Sequence, residues 1–417
     1  MLKSDLKKIA KQTIKNCQPQ NAVKKQLRLF LASDKLDAAK PIFLLAIGKA
    51  AWSMAEAANQ ILGKQINSGL VVTKYHHNQG KIGNCKIIEA GHPIPDENSL
   101  LAAEKLLQIS QQLPLNTQII LLLSGGGSAL IEKPLKPMQL ADLQKISAQL
   151  INSGADINQI NTVRKHLSAL KGGRLADIFS RHNIFALILS DVIGNDLSAI
   201  ASGPVTADPT TSRQAREILG KYHIQITDKI SQTLKNETPK HISNVQSQII
   251  GSVETACEQA KIAAQKLGYE AKIISIDITC DVSKIAEEIC LAAKHILSES
   301  NPKPQALIWG GETLVAVQGN GKGGRTQQLA LNCGKLLAGI NNWALLTLAT
   351  DGTDGPTDAA GGIVDGTTYR KIISNETNPD KLLENNDSYH ALKLANDLLI
   401  TGPTGTNLND VIVLLVE

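Results

Sequence analysis

Seven short runs of almost wholly apolar residues, at 42–47, 70–73, 119–123, 184–189, 306–309, 344–349 and 411–416, recur along this chain, and most open into a turn of glycine, serine or aspartate. A strand exposed on one face alternates apolar and polar side chains, whereas an unbroken apolar run of about four to eight residues is covered on both faces. These runs therefore predict buried parallel strands. The segments 50–62, 99–112, 138–151, 254–267, 282–298 and 327–337 carry apolar residues at three- and four-residue spacing, as amphipathic helices do. Strand and helix in alternation imply a three-layer α/β sandwich.

A chain of 417 residues exceeds the roughly 250–300 at which a single core stops growing, so two domains are expected. The apolar pattern weakens across residues 221–245, which sets the boundary there and divides the chain into 1–240 and 241–417. The first 36 residues read as one or two amphipathic helices able to dock on either domain. With aromatics at only 3 %, Ile, Leu, Val and Ala must fill both cores. The net charge of +5 is spread along the chain and is not interleaved with aromatics that could stack bases, which argues against nucleic-acid binding. The six cysteines form no CxxC pair and read as reduced thiols. The amino terminus lacks the apolar segment of a signal peptide, and no apolar run approaches the ~18 residues of a membrane span, so a cytoplasmic protein is expected.

In open parallel sheets, ligands bind beyond the carboxyl ends of the strands. After run 42–47 come Gly48 and Lys49; after 119–123 come Ser124, Gly125, Gly126, Gly127 and Ser128; after 184–189 come Ser190 and Asp191. Consecutive glycines let backbone amides approach an anion closely, so SGGGS reads as a phosphate cradle. Lys49 brings a cation to the start of a helix, where the dipole opposes it and an anionic partner is needed. Asp191, followed by Gly194, Asn195 and Asp196, is placed to bind Mg²⁺ or to accept a proton from a substrate hydroxyl. The second half offers Gly310, Gly311 and Glu312 after one run and Asp351, Asp354 and Asp358 after another. That aspartate turn lacks the glutamate of a calcium loop and contains Pro356, so Mg²⁺ shared with a nucleotide suits it better. Gly319, Gly321 and Gly324 match GxGxxG, yet no acidic residue follows at dinucleotide-site spacing, and Lys322 and Arg325 suit a phosphate or acidic substrate. No Gly-Lys pair has P-loop spacing. Asn161, Arg164, Lys165 and His166 either cradle an acidic substrate or form a solvated helix face. His92, in a proline-stiffened loop with no accompanying Ser or Cys motif, reads as structural.

Together the segments AIGKAAWSM, AGHPIPDENSL, LLLSGGGSALI, INTVRKHLSALKGGRLA, LSDVIGNDLSAIASGPVTADPT, GGETLV, GKGGRTQQLAL, ATDGTDGPTDAAGG and TGPTGTNLNDV resemble the glycerate 2-kinases that carry a carboxyl-terminal MOFRL domain. The likeness runs from about residue 40 to the end. It implies an amino-terminal α/β/α Rossmann-like parallel sheet, a carboxyl-terminal α/β domain with a mixed sheet and its MOFRL region at about 305–412, and an active site in the cleft between them. It also implies ATP- and Mg²⁺-dependent phosphorylation of D-glycerate at the 2-hydroxyl. Matched by position, Lys49, Asp191 and Arg325 become the catalytic candidates, with Glu312, Asp351 and Asn407 joining them from the second domain. Asn161, Arg164, Lys165, Asn195 and Asn407 are then the substrate candidates, and residues 124–128, Glu312, Gly323 and Gly324 the nucleotide candidates. Asp351 and Glu312 are the metal candidates. A homo-oligomer is left open. The alternatives are an NAD(P)H-dependent hydroxypyruvate reductase using the GxGxxG segment, and a non-catalytic binder of small carboxylates.

Overall fold

The computed structural model describes residues 1–33, 35–37, 39–300 and 303–417. The chain divides into two compact units, one of Pro19–Ile250 and one of Met1–Gln18 with Gly251–Glu417.

The sheet of the Pro19–Ile250 unit comprises β1 (Ile42–Ile47), β2 (Ile66–Lys74), β3 (Cys85–Ala90), β4 (Gln118–Leu123), β5 (Ile184–Leu189) and β6 (Val245–Gly251), in the order β3-β2-β1-β4-β5-β6. β1 runs parallel to β2 and β4, and β5 parallel to β4. Every residue of β1, β4 and β5 is buried, as their unbroken apolar runs require. Phe43, Leu45, Leu121 and Ile188 pack on one side with Leu106 and Phe179 from the helical layer. Burying each such side chain stabilises the unit by roughly 1.5–3 kcal/mol. Strand order reverses between β1 and β4, so the crevice for a ligand opens where those two strands end. Ile47 pairs with Leu123, which brings the two strand ends, and the turns that follow them, to one level.

The second unit holds β7 (Glu270–Ile278), β8 (Gln305–Gly311), β9 (Trp343–Ala349), β10 (Gly361–Asp365), β11 (Leu398–Leu399) and β12 (Asp410–Val416), ordered β11-β10-β9-β12-β8-β7. β7 and β8 are parallel, but β12 lies antiparallel to both β8 and β9, which corrects the parallel reading of run 411–416. An unbroken apolar run reports burial on both faces and carries no direction. The antiparallel placement matters for the site, because the first residue of β12, Asp410, pairs with Gly311 at the end of β8 and with Ala349 at the end of β9.

The reading of residues 1–240 as one domain differs from the observed division. Helix Leu2–Asn16 buries Leu6 and Ile9 and belongs with the second unit. Its Lys3 pairs with Asp365 and Asp397, and its Asp5 accepts a hydrogen bond from Tyr269 Oη, so charge as well as apolar contact fixes it there. Among the described residues, no helix is long and apolar enough to cross a membrane.

Candidate active site

In the first unit, the turns after β1 and β4 are laced together. Lys49 N–H donates to Gly125 O at 2.9 Å, Ala50 N–H to Ser124 Oγ at 3.1 Å and Ser124 N–H to Ile47 O at 3.0 Å. Gly48, at φ +133°, lies so close to Ser124 that a Cβ there would overlap its backbone carbonyl. Three side chains converge on the glycines of the second turn. The Asp191 carboxylate, entering from the end of β5, lies against the Cα of Gly125. A Cβ on Gly126 would stand 3.0 Å from His92 Cδ2, 3.2 Å from His92 Nε2 and 3.2 Å from Lys49 Cγ. The Lys49 ammonium has no acid partner among the described residues, so the turn presents an uncompensated cation beside glycine amides. Such a site attracts an anion.

Gly126 also has φ +84°, in the left-handed region. Gly126→Ala therefore adds about 1–2 kcal/mol of backbone strain and pushes on both His92 and Lys49. A fall of about a hundredfold in kcat is expected from that misplacement, with a melting temperature only a few degrees lower. Steady-state kinetics paired with a thermal melt checks it, and an unaltered rate would remove Gly126 from the site.

The SGGGS turn is buttressed by a strained segment inside the LSDVIGNDLSAIASGPVTADPT stretch. Ala201 and Ser202 hold φ +49° and +61°, a conformation rare for residues with a Cβ and concentrated at functional sites. Ser202 Oγ lies 2.9 Å from Ser128 Oγ and donates to Asn161 Oδ1 at 3.2 Å, so Ser128 and Asn161 are brought to one place. The Ala-Ser-Gly step before Pro204 marks the place in the sequence, but nothing there singles out Ala201 and Ser202. Asn195 sits at φ +57° in the loop after Asp191, with its Oδ1 buried and unpartnered. Arg164 donates Nε–H to Ser147 Oγ at 3.1 Å, and its half-buried guanidinium is pulled below the usual arginine range by desolvation. Lys165 points elsewhere: its ammonium is buried 3.3 Å from Asp208 Oδ1, which makes it part of a structural pair. The neighbouring Lys171 ammonium is likewise buried and paired with Glu132.

In the second unit the candidates gather at the start of β12. Arg325 begins helix Arg325–Leu336 and grips Asp410 through Nε at 2.5 Å and Nη2 at 3.1 Å, while Nη1 donates to Glu312 Oε1 at 2.7 Å. Glu312 Oε2 accepts from Asn409 Nδ2 at 3.3 Å, and Asn407 Oδ1 accepts from Asn409 N–H at 3.4 Å. Thr350, next to Asp351, donates its hydroxyl to Asn409 O at 2.7 Å. Glu312, Arg325 and Asn407 are thus tied together through residues 409 and 410, and Thr350, the residue before Asp351, joins the same cluster. Burial, with Asp354 and Glu312 nearby, pushes the Asp410 carboxyl up to about 7 against the pull of Arg325. Arg325 is itself held above the usual arginine range despite its burial, by its hydrogen bonds and charge contact with Asp410. Asp410 was not among the expected site residues, although an acid opening an apolar run is the signal that marks it.

The glycines of the GxGxxG segment serve packing. A Cβ on Gly319 or Gly321 would overlap the backbone at Asn385 or the start of Asp387, one on Gly323 the Ser388 hydroxyl, and one on Gly324 the Asp354 carboxyl. Asp354 in turn caps the Arg325 helix, its Oδ2 accepting from Gln327 N–H at 2.9 Å. Asp351 Oδ1 accepts from Thr353 N–H at 3.1 Å, and the Glu312 carboxylate is engaged on both oxygens. Among the described residues, no group of three or more His, Cys, Asp or Glu side chains is arranged to hold a metal ion.

Two family models cover the chain: one described as a domain of unknown function (DUF4147) over residues 5–235, and the MOFRL family over residues 305–410. The chain is 47 % identical to a D-glycerate 2-kinase of Thermotoga maritima over 410 residues, 98 % of this chain and 97 % of that protein. It is 41 % identical to a glycerate 2-kinase of Pyrococcus horikoshii over 392 residues, 90 % of this chain and 87 % of that one. A crystal structure of a Thermotoga maritima glycerate kinase superposes with a TM-score of 0.94 at 46 % identity, spanning 100 % of this chain and 99 % of that one. With both domains matched in order and the likeness sustained end to end, the chain belongs to the glycerate 2-kinase family with a carboxyl-terminal MOFRL domain.

Proposed function

We propose that this chain is an ATP-dependent kinase that phosphorylates D-glycerate at its 2-hydroxyl, giving 2-phosphoglycerate and ADP. The observation that carries an anion-transfer site is the Lys49 ammonium, without an acid partner, beside the glycine turn where strand order reverses. The substrate comes from the name shared by the Thermotoga and Pyrococcus relatives.

In the step proposed, the 2-oxygen of glycerate forms a bond to the γ-phosphorus while the bond from that phosphorus to the β,γ-bridging oxygen breaks, and ADP leaves. The hydroxyl proton passes to Asp191. The SGGGS amides hold phosphate oxygens and Lys49 offsets the charge of the transferring group, since phosphoryl transfer rests on positioning and electrostatics. Asn195 Oδ1, buried and unpartnered, suits a substrate hydroxyl or water as donor. Arg325, in the second unit, is a further cation candidate. Its contact with Glu312, whose side chain is 45 % exposed, is the one a substrate carboxylate can replace, whereas the Asp410 grip is buried. A magnesium ion bound with the nucleotide would supply charge neutralisation at the phosphates, with Asp351 or Glu312 as the residues to hold it.

A dinucleotide fingerprint starts at the end of its strand, but here β8 ends at Gly311, well before Gly319, and the glycines are taken up by packing against residues 354 and 385–388. That weighs against the dinucleotide site a reductase would need. The six free thiols suit the reducing cytoplasm in which we place the enzyme. Purified protein with D-glycerate, ATP and Mg²⁺ should release ADP, and with hydroxypyruvate and NADH should consume none; NADH loss without ADP release would overturn the reading. Asp191→Asn should lower kcat by roughly 10²–10⁴, the range for a general base. A folded variant with an unchanged rate would refute the base.

A further inference from the structure

His92 follows β3, the strand at the edge of the first sheet, yet its loop reaches back to the turn after β4. The loop is fixed from three sides. Asp96 caps helix Glu97–Gln112 through Ser99 N–H at 3.0 Å, Tyr75 Oη donates to Asp96 Oδ2 at 2.6 Å, and Gln144 Nε2 donates to Pro95 O at 2.7 Å. With the loop so held, the Cδ2–Nε2 edge of the imidazole is laid on Gly126 next to the Lys49 stem.

Neither ring nitrogen of His92 makes a hydrogen bond with the described residues. That sets it apart from the structural histidines of the same unit. His166 is bonded to Thr162 O and Glu237, and His182 contacts Thr117 O. Lys49 and Lys74 bear on the imidazole, and the Asp191 carboxylate lies on Gly125, the neighbouring glycine of the same turn. Burial first, and then these cations, push the imidazole down to about 4, so it is neutral at neutral pH. A half-buried, unbonded imidazole that edges a glycine turn beside an unpaired lysine has the placement of a ligand contact.

We propose that His92 is a catalytic residue, donating its Nε2–H to an anionic oxygen of the bound substrates beside the Lys49 ammonium. This rests on the kinase reading for the identity of the anion, which is either the glycerate carboxylate or the transferring phosphoryl group. A neutral N–H donor adds to the field at that oxygen without repelling Lys49, as a second cation would.

The test compares His92→Ala and His92→Gln with the parent in ADP release, varying glycerate and ATP separately, alongside thermal melts. Loss of one such donor lowers the rate by about 10²–10³, so the alanine variant should lose about a hundredfold in kcat/KM for glycerate. Glutamine, which keeps a side-chain N–H, should recover at least about tenfold. A fall in kcat at saturating substrates assigns the bond to the phosphoryl group, and a rise in KM for glycerate assigns it to the carboxylate. An alanine variant within about threefold of the parent overturns the proposal. So do alanine and glutamine variants that are equally impaired with parallel losses in melting temperature, because packing alone predicts that pattern.

A second arm needs neither substrate. Inorganic phosphate is titrated into histidine-labelled protein while the imidazole ¹⁵N signals are followed, His92 being identified by its disappearance in His92→Gln. The Nε2 signal should move with added phosphate, and no movement up to tens of millimolar counts against the contact. If that signal moves while the parent releases no glycerate-dependent ADP, the substrate is wrong and the residue stands. If the parent is a kinase and His92→Ala is too, the residue is wrong and the kinase stands.

Discussion

Lys49→Ala is expected to lower glycerate-dependent ADP release by about a thousandfold while the melting temperature stays within a few degrees of the parent. The two effects separate because the side chain and the backbone of Lys49 do different things. The backbone N–H bonds to Gly125 O and the carbonyl lies 3.0 Å from His77 Nδ1, and alanine preserves both. The side chain has no acid partner to strand, so nothing buried is left unpaired when it goes. Its charge stands at the start of helix Ala51–Leu62, where the helix dipole opposes a cation, so its loss is neutral or slightly favourable for folding. In the transition state the balance reverses. Charge spreads over the transferring phosphoryl oxygens in a partly desolvated turn, where one well-placed cation is worth ~10²–10³ or more in rate. Lys49→Arg keeps the charge but on a longer, planar group, and should recover only part of the rate. Near-normal turnover in the alanine variant would remove Lys49 from the mechanism.

What was legible in the sequence follows from burial. The central strands β1, β4, β5, β8, β9 and β12 are covered on both faces, and each was marked by its apolar run. The unmarked strands include β3, β6, β7 and β11, which stand at the sheet edges. In β7, exposed and half-buried residues are interspersed along the strand, so no continuous run forms. β10 was hidden differently, since it opens with two glycines that pack against Thr347 and Ala330. The same logic sorts the site. Lys49, Asp191 and the glycine turn, the residues proposed for the site, stand out in the sequence because they directly follow buried strands. Lys165 was misleading, because a basic residue on an amphipathic helix gives no hint that a distant Asp208 will bury it. Asp410 was hidden because its role depends on β12 entering antiparallel, which places the first residue of that strand beside the last residues of β8 and β9. Direction is a tertiary property and leaves no mark on an apolar run.

Arg325→Met should both silence the enzyme and destabilise the second unit, and the stability loss should grow with pH. The guanidinium fork holds both oxygens of Asp410 and one oxygen of Glu312, and a methionine of similar length replaces none of these bonds. Asp410 is 2 % exposed, so the variant strands a buried carboxyl near Glu312 and Asp354. Removing one partner of a buried pair costs about 3–5 kcal/mol when the remaining charge stays ionised. Here it has an escape. The Asp410 carboxyl is already raised to about 7 from an unfolded value of 3.8, and loss of the arginine lifts it further. A carboxyl raised in the folded state binds a proton there that the unfolded chain does not, so its contribution favours folding at low pH and is lost as pH rises through the folded value. The gap between variant and parent in chemical denaturation should therefore be smaller at pH 6, below the raised value, than at pH 8.5, where the carboxyl must ionise without its partner or hold a proton against the solvent. Asp410→Asn in the Arg325→Met background removes the titrating group and should flatten that pH dependence. A gap that is constant from pH 6 to 8.5 would mean that Asp410 is not the group Arg325 holds in its charged form.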